Sequence, residues 1–174
     1  MITKEHIDYI RTAWVPIVHG CDCADALTAA RHIAADIVLV GVVYVPPQQP
    51  LSAGAYEARQ VRRRLRTLSE GPQIRYKSQV QVSHEPWLEL QKVIAADEPD
   101  LLLLEWPCQL EALCVSTAES LAHPPCDIAL VRGPLPADIQ QVLIPVRGGP
   151  HAELSLRVGL SFDAANITAL HLKS

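Results

Sequence analysis

Four side chains with reactive or ligating chemistry fall within five positions: His19, Cys21, Asp22 and Cys23. Cys-x-Cys beside a histidine offers the donor types of a zinc site or a thiol nucleophile. A structural zinc needs four ligands, and the missing pair can come only from Cys108 or Cys114, if they fold over the same edge. Against this metal reading stands a plainer one, in which the cysteines are small buried hydrophobes. His6, His32, His84, His123, His151 and His171 form no triad or paired-ligand spacing, and are read as surface or loop residues. Asp97, Glu98 and Asp100 read as a helix end and a strand start rather than a catalytic pair. No catalytic residue is assigned, and the chain is not expected to be an enzyme.

Two further segments have the chemistry to hold an anion. Arg147-Gly148-Gly149 precedes a helix, where backbone N–H groups and a guanidinium would meet a phosphate or carboxylate; a tight turn with an exposed arginine explains it as well. Ser116 and Thr117 open another helix and serve equally as a plain N-cap. Arg59, Arg62, Arg63 and Arg66 share one helix side, which is read as a solvated face.

The chain as a whole does not attract phosphate: 15 Lys+Arg against 19 Asp+Glu give a net charge of −4, so nucleic acid is not an expected partner. Five scattered cysteines and no leader-like N-terminus are read as reduced thiols in the cytoplasm. No apolar run approaches the ~18 residues that span a bilayer. The 174 residues hold one domain, or one and part of another, and 49% hydrophobic content supports a packed core.

Elements that would position these groups alternate along the chain. After a polar lead (1–12), an apolar strand at 13–18 runs into a turn at His19-Gly20. An alanine-rich helix follows at 23–35, with Asp22 placed to cap it. The β-branched run 37–45 suits a parallel strand covered on both faces, and prolines 46, 47 and 50 end it. Tyr56, Val61, Leu65 and Leu68 mark the inner side of a second helix ending near Gly71. Ile74, Tyr76, Val80 and Val82 alternate with polar residues as in an edge strand. A helix at 86–96, a strand at 100–106, a helix at 115–122 and a strand at 127–131 complete a parallel sheet sandwiched by helices.

Beyond a linker at 134–138 the sequence echoes its own beginning. WVPIVHGCDCADAL (14–27) aligns without gaps on LIPVRGGPHAELSL (143–156), pairing Pro16 with Pro145 and Gly20 with Gly149. Ala35-Asp36-Ile37 answers Ala165-Asn166-Ile167. The expected organisation is one module at 13–133 and the first strand–helix–strand of a second at 139–174.

QVLIPVRGGPHAELSLRVGL (141–160), DLLLLEW (100–106) and PPCDIALV (124–131) resemble the universal stress protein superfamily. VVYVPPQQPLSAGAYEARQVRRRL (42–65) is similar, more narrowly, to stress-protein-like domains fused behind amino-acid permeases and cation–proton antiporters. The resemblance implies a doubly wound five-stranded parallel sheet of order 3-2-1-4-5, with a ligand at the C-terminal edge where strand order reverses. It further implies a cytoplasmic regulatory or assembly domain that dimerises through sheet edges, as part of a transporter polypeptide.

ATP-binding members of that family use an Asp ending the first strand and a G-x2-G-x9-G-[S/T] loop after the fourth, because only glycine lets backbone N–H groups approach phosphate so closely. Here no glycine lies between Gly71 and Gly133. Glu105 takes the first glycine position, Pro107 removes an N–H, and Val18 and Arg147 replace the aspartate in the two copies. The family's ligand positions thus fall on Pro16, Val18, Val42, Glu105, Ser116 and Thr117, and in the second copy on Arg147, Gly148 and Gly149. A carboxylate at Glu105 opposes polyphosphate, so no ATP cofactor is expected. Two alternatives stay open: a soluble stress protein binding nucleotide in an altered mode through Arg147, and a thiol or metal protein centred on Cys21 and Cys23.

Overall fold

The computed structural model describes residues 9–70, 74–149, 152–164 and 166–171. The lead up to residue 8, Gly71, Pro150, His151 and Ala165 lie outside them.

Strand β1 (Thr12–Val18) is buried from Ala13 onward and passes through the His19-Gly20 turn, Gly20 at φ +81°, into helix α1 (Ala24–Ile33). Strand β2 (Asp36–Tyr44) runs parallel to β1 along its whole length, Thr12 beside Asp36 and Val18 beside Val42. Prolines end β2, and a 3₁₀ turn (Leu51–Gly54) leads into α2 (Ala55–Leu68). Strand β3 (Ile74–Ser83) pairs with β2 at the sheet's outer edge, followed by α3 (Pro86–Asp97), which starts with proline in its first turn. Strand β4 (Leu101–Glu105) returns to the other side of β1, a short α4 (Cys108–Ala112) and α5 (Thr117–Ala122) follow, and β5 (Ile128–Val131) closes the sheet. The strand order is β3-β2-β1-β4-β5, all pairs parallel, as the alternation and the resemblance lead one to expect.

The core lies where both sheet faces are covered. Trp14 on β1 and Leu101, Leu102, Leu103 and Leu104 on β4 are fully buried; each large apolar side chain contributes about 2 kcal/mol. α2 lies close against β2 because Gly41 leaves room: a Cβ there would stand 2.9 Å from Val61 and from Val80. Val61 and Leu65 face inward, but Tyr56 does not. It is 58% exposed in the first turn of α2, where Ala58 is the buried residue. Arg59, Arg62, Arg63 and Arg66 are exposed. Asp100 fastens the start of β1 by accepting from the amides of Arg11 and Thr12 at 3.0 and 2.8 Å.

A second strand–helix–strand unit follows: β6 (Gln141–Val146), α6 (Ala152–Ser161) and β7 (Asn166–His171). Its two strands form a parallel sheet of their own. α6 covers one face, with Gly159 seated on Ile144, and reaches α1 through Phe162, 5.9 Å from His32 between ring centroids. The other face is open: Leu143 is 62% exposed, whereas Trp14, at the same place in the first copy, is 1% exposed. Among the described residues no helix is long and apolar enough to cross a bilayer.

Candidate functional site

The strand order reverses between β1 and β4, and the crevice this creates lies outside their carboxyl ends. β4 pairs with β1 only at Ala13 and Trp14. Further along, Pro16 offers a carbonyl but no N–H, and the side chain of Gln109 from α4 takes the place of a ladder. Gln109 is fully buried; its amide donates to the Pro16 carbonyl and lies 3.3 Å from Cys23 Sγ, and its Oε1 accepts from the Glu105 backbone N–H.

Glu105, at the end of β4, points its carboxylate at the start of α1, where Oε2 accepts from the amides of Asp25 at 3.0 Å and Ala26 at 3.4 Å. Amides in a helix's first turn lack intrahelical partners and carry its positive dipole end, so they favour an anion. Here that anion belongs to the protein. The cap expected from Asp22 is therefore corrected: Cys23 stands at the N-cap with φ +58° and its side chain caps nothing, while Asp22 turns outward to Arg64 at 2.8 Å. Its left-handed backbone aims Asp22 away from the helix amides, and a carboxylate 80 residues downstream serves them instead. Asp25 in turn accepts from the Leu135 N–H at 2.9 Å, tying the start of α1 to the segment after β5.

The cysteines converge on the same crevice. Cys21 and Cys108 form a disulfide between the loops after β1 and β4, with Cα atoms 5.8 Å apart. The expectation that all five thiols are free is thus overturned for these two. The topology brings both loops to one sheet edge, where chain neighbours 87 residues apart come into bonding range. Cys23 remains a thiol beside them, and burial pushes it up to about 11, a backbone hydrogen bond at Val18 and the Arg64 charge pulling the other way. It is a poor nucleophile in that state. Among the described residues no group of three or more His, Cys, Asp or Glu side chains is arranged to hold a metal ion.

Next to the crevice, over the ends of β1 and β2, opens a cavity of about 310 Å³. Val18, Val42 and Val45 form its apolar wall, Gln49 and Gly54 come from the loop and 3₁₀ turn, and Glu57 enters from the first turn of α2. The backbone at Gly54 approaches the strands so closely that a Cβ would stand 2.7 Å from Val45 and 2.8 Å from Val82.

Of the residues singled out in sequence, Val18 and Val42 thus line one cavity, while Pro16, Glu105, Cys21 and Cys23 surround the neighbouring crevice. Ser116 and Thr117 stand apart in role: Ser116 Oγ accepts from the Glu119 N–H at 3.1 Å, an ordinary N-cap. Arg147, Gly148 and Gly149 lie exposed in the second unit, the two glycines at φ +83° and +88°, where a side chain would be strained.

The chain is similar to several solved structures. A universal stress protein crystallised in complex with cAMP is 19% identical, its match covering 72% of this chain and 98% of its own, with a TM-score of 0.43. The hypothetical protein PH0823 is 11% identical over 70% of this chain and 96% of its own, with a TM-score of 0.49. No family model matches the sequence, and no curated protein does.

Gln109, Asp25, Arg64 and Glu57 were not visible as site residues in the sequence. Gln109 sits in a short helix that apolar periodicity does not announce, and a lone glutamine reads as solvent-facing. Arg64 belongs to an arginine-rich face, yet alone of that group it reaches back, donating to the Cys21 carbonyl and to Asp22.

Proposed function

We propose that the chain is a non-catalytic regulatory domain of the universal stress protein type whose polyphosphate position is filled by its own side chains. The observation that supports this is the Glu105 carboxylate on the α1 amides, with Gln109 closing the adjacent crevice. A nucleotide phosphate brought there would meet an anion in place of donors. Together with the missing glycines, this makes the ATP site degenerate. The adjacent cavity is left as the place for a small regulatory ligand.

The sequence likeness over 42–65 and the recurrence of the strand–helix–strand unit favour a cytoplasmic domain carried by an amino-acid permease or cation transporter, with a second module begun at residue 139. Exposed Leu143 and Leu170 on the open face of β6–β7 favour assembly as a homodimer. Calorimetric titration with ATP, AMP and cAMP tests the central reading: no binding of ATP is expected below millimolar concentration, and a micromolar affinity would overturn it. Coding sequence for membrane-spanning helices beside the chain is the expected sign of the transporter context.

A further inference from the structure

Glu57 is the third residue of α2, and one of its carboxylate oxygens, Oε2, is buried with no hydrogen-bond partner. The ion pairs of Arg64 with Asp22, Arg75 with Asp36, Lys77 with Asp97 and Lys92 with Glu89 do not reach Glu57. Unpaired carboxylate oxygens are costly to bury, and a protein that keeps one in a cavity wall gains when a donor arrives. Glu57 lines the 310 Å³ cavity over β1 and β2, whose wall also carries Val18, Val42 and Val45 and the polar side chains of His19, Tyr44 and Gln49. The volume lies at the small end of ligand pockets, ~300–1,000 Å³, which suits a metabolite rather than a dinucleotide.

We infer that this cavity binds a small organic cation, an ammonium or guanidinium group on an apolar stem, with the charged N–H donors on the Glu57 carboxylate and the stem against Val18, Val42 and Val45. The inference rests on the reading of the cavity as the domain's ligand site, but not on the occlusion of the phosphate position. A charge-assisted N–H···O⁻ bond is roughly twice as strong as a neutral one. The same carboxylate disfavours an anion placed beside it.

The test is an amide chemical-shift titration of the full chain with isoamylamine and agmatine, using isoamyl alcohol and AMP as controls. Saturable shifts centred on Val18, Val42 and Gly54 are expected with the two amines, and none with the alcohol or AMP. Glu57→Gln keeps the side-chain shape, and is expected to weaken amine binding at least tenfold while leaving the spectrum folded and the melting temperature unchanged or higher. Equal response to the alcohol, absence of saturation by either amine, or undiminished binding by Glu57→Gln would each overturn the proposal. Shifts induced by AMP or ATP at Glu105 and Gln109 would instead count against the occluded phosphate site, leaving this cavity's assignment to the amine data.

Discussion

Glu105 Oε2 lies 3.0 Å from the backbone nitrogen of Asp25, so the end of β4 supplies the cap that α1 does not find in its own preceding loop. The contact joins residues 80 apart and sets the position of the helix over the sheet. Removing it with Glu105→Ala is expected to cost about 1 kcal/mol, as for other lost helix caps, and to lower the melting temperature by about 2–4 °C for a chain of this size. Glu105→Gln, which keeps an acceptor, is expected to lose less. Thermal unfolding followed by circular dichroism checks both.

Gln109 serves two backbone groups at once, the Pro16 carbonyl and the Glu105 N–H. Gln109→Leu fills the same space but leaves both groups buried and unpaired, and each orphan costs about 1–3 kcal/mol. Urea unfolding should therefore show a loss of about 2–6 kcal/mol. A loss below 1 kcal/mol would mean that water replaces the side chain and that the crevice is open.

The Cys21–Cys108 bridge closes a long loop, so its removal is expected to cost about 2–4 kcal/mol. Melting with and without a dithiol reductant measures this, and Cys108→Ala should make the reductant ineffective.

Thiol labelling follows from burial. At neutral pH the exposed Cys114 should react first with an alkylating reagent, while Cys23 and Cys126, each pushed up to about 11 mainly by burial, should stay unlabelled in the folded chain. The same shifts fix a pH dependence. Both thiols ionise more readily in the unfolded chain, near 9, so between about 9 and 11 the unfolded state holds fewer protons and stability falls as pH rises. Below 9 these two groups leave stability independent of pH. Unfolding free energies at pH 8 and 10 check the sign, and Cys23→Ser should flatten the decline.

Gly133 lies against the Asp25 side chain so tightly that a Cβ would run into the carboxylate. Gly133→Ala is expected to push Asp25 off the Leu135 N–H and to cost about 1–3 kcal/mol, the range of overpacked sites. Gly148→Ala, in open space, should show only the smaller strain of its positive φ. Parallel unfolding curves of the two variants compare crowding with backbone strain.

Strand and helix succession was legible because each element carries its own period: the unbroken apolar runs of β2 and β4 can only be doubly covered strands, and β3's alternation marks an edge. Element ends were less legible. α1 begins at Ala24 rather than 23, its N-terminal cap coming from elsewhere in the fold, and stops at Ile33 because Ala34 is extended; α4 is too short to display a helical period. Tyr56 had the spacing of an inner residue, yet it is exposed, and the turn packs through Gly54 and Ala58 instead.

The layered parallel sheet, the echo of the first unit in the second, and the absence of glycine between residues 71 and 133 where β4 leads on to α5 follow from the order of residues alone. These are local or periodic properties, written in composition and spacing. Only the tertiary structure decided that Glu105 caps α1, that Gln109 closes the crevice, that Cys21 meets Cys108 and that Glu57 is left without a partner. The first three join residues 80 to 93 positions apart, brought together by the crossover from β1 to β4. The last depends on what the fold fails to bring to a side chain, and that no local pattern records.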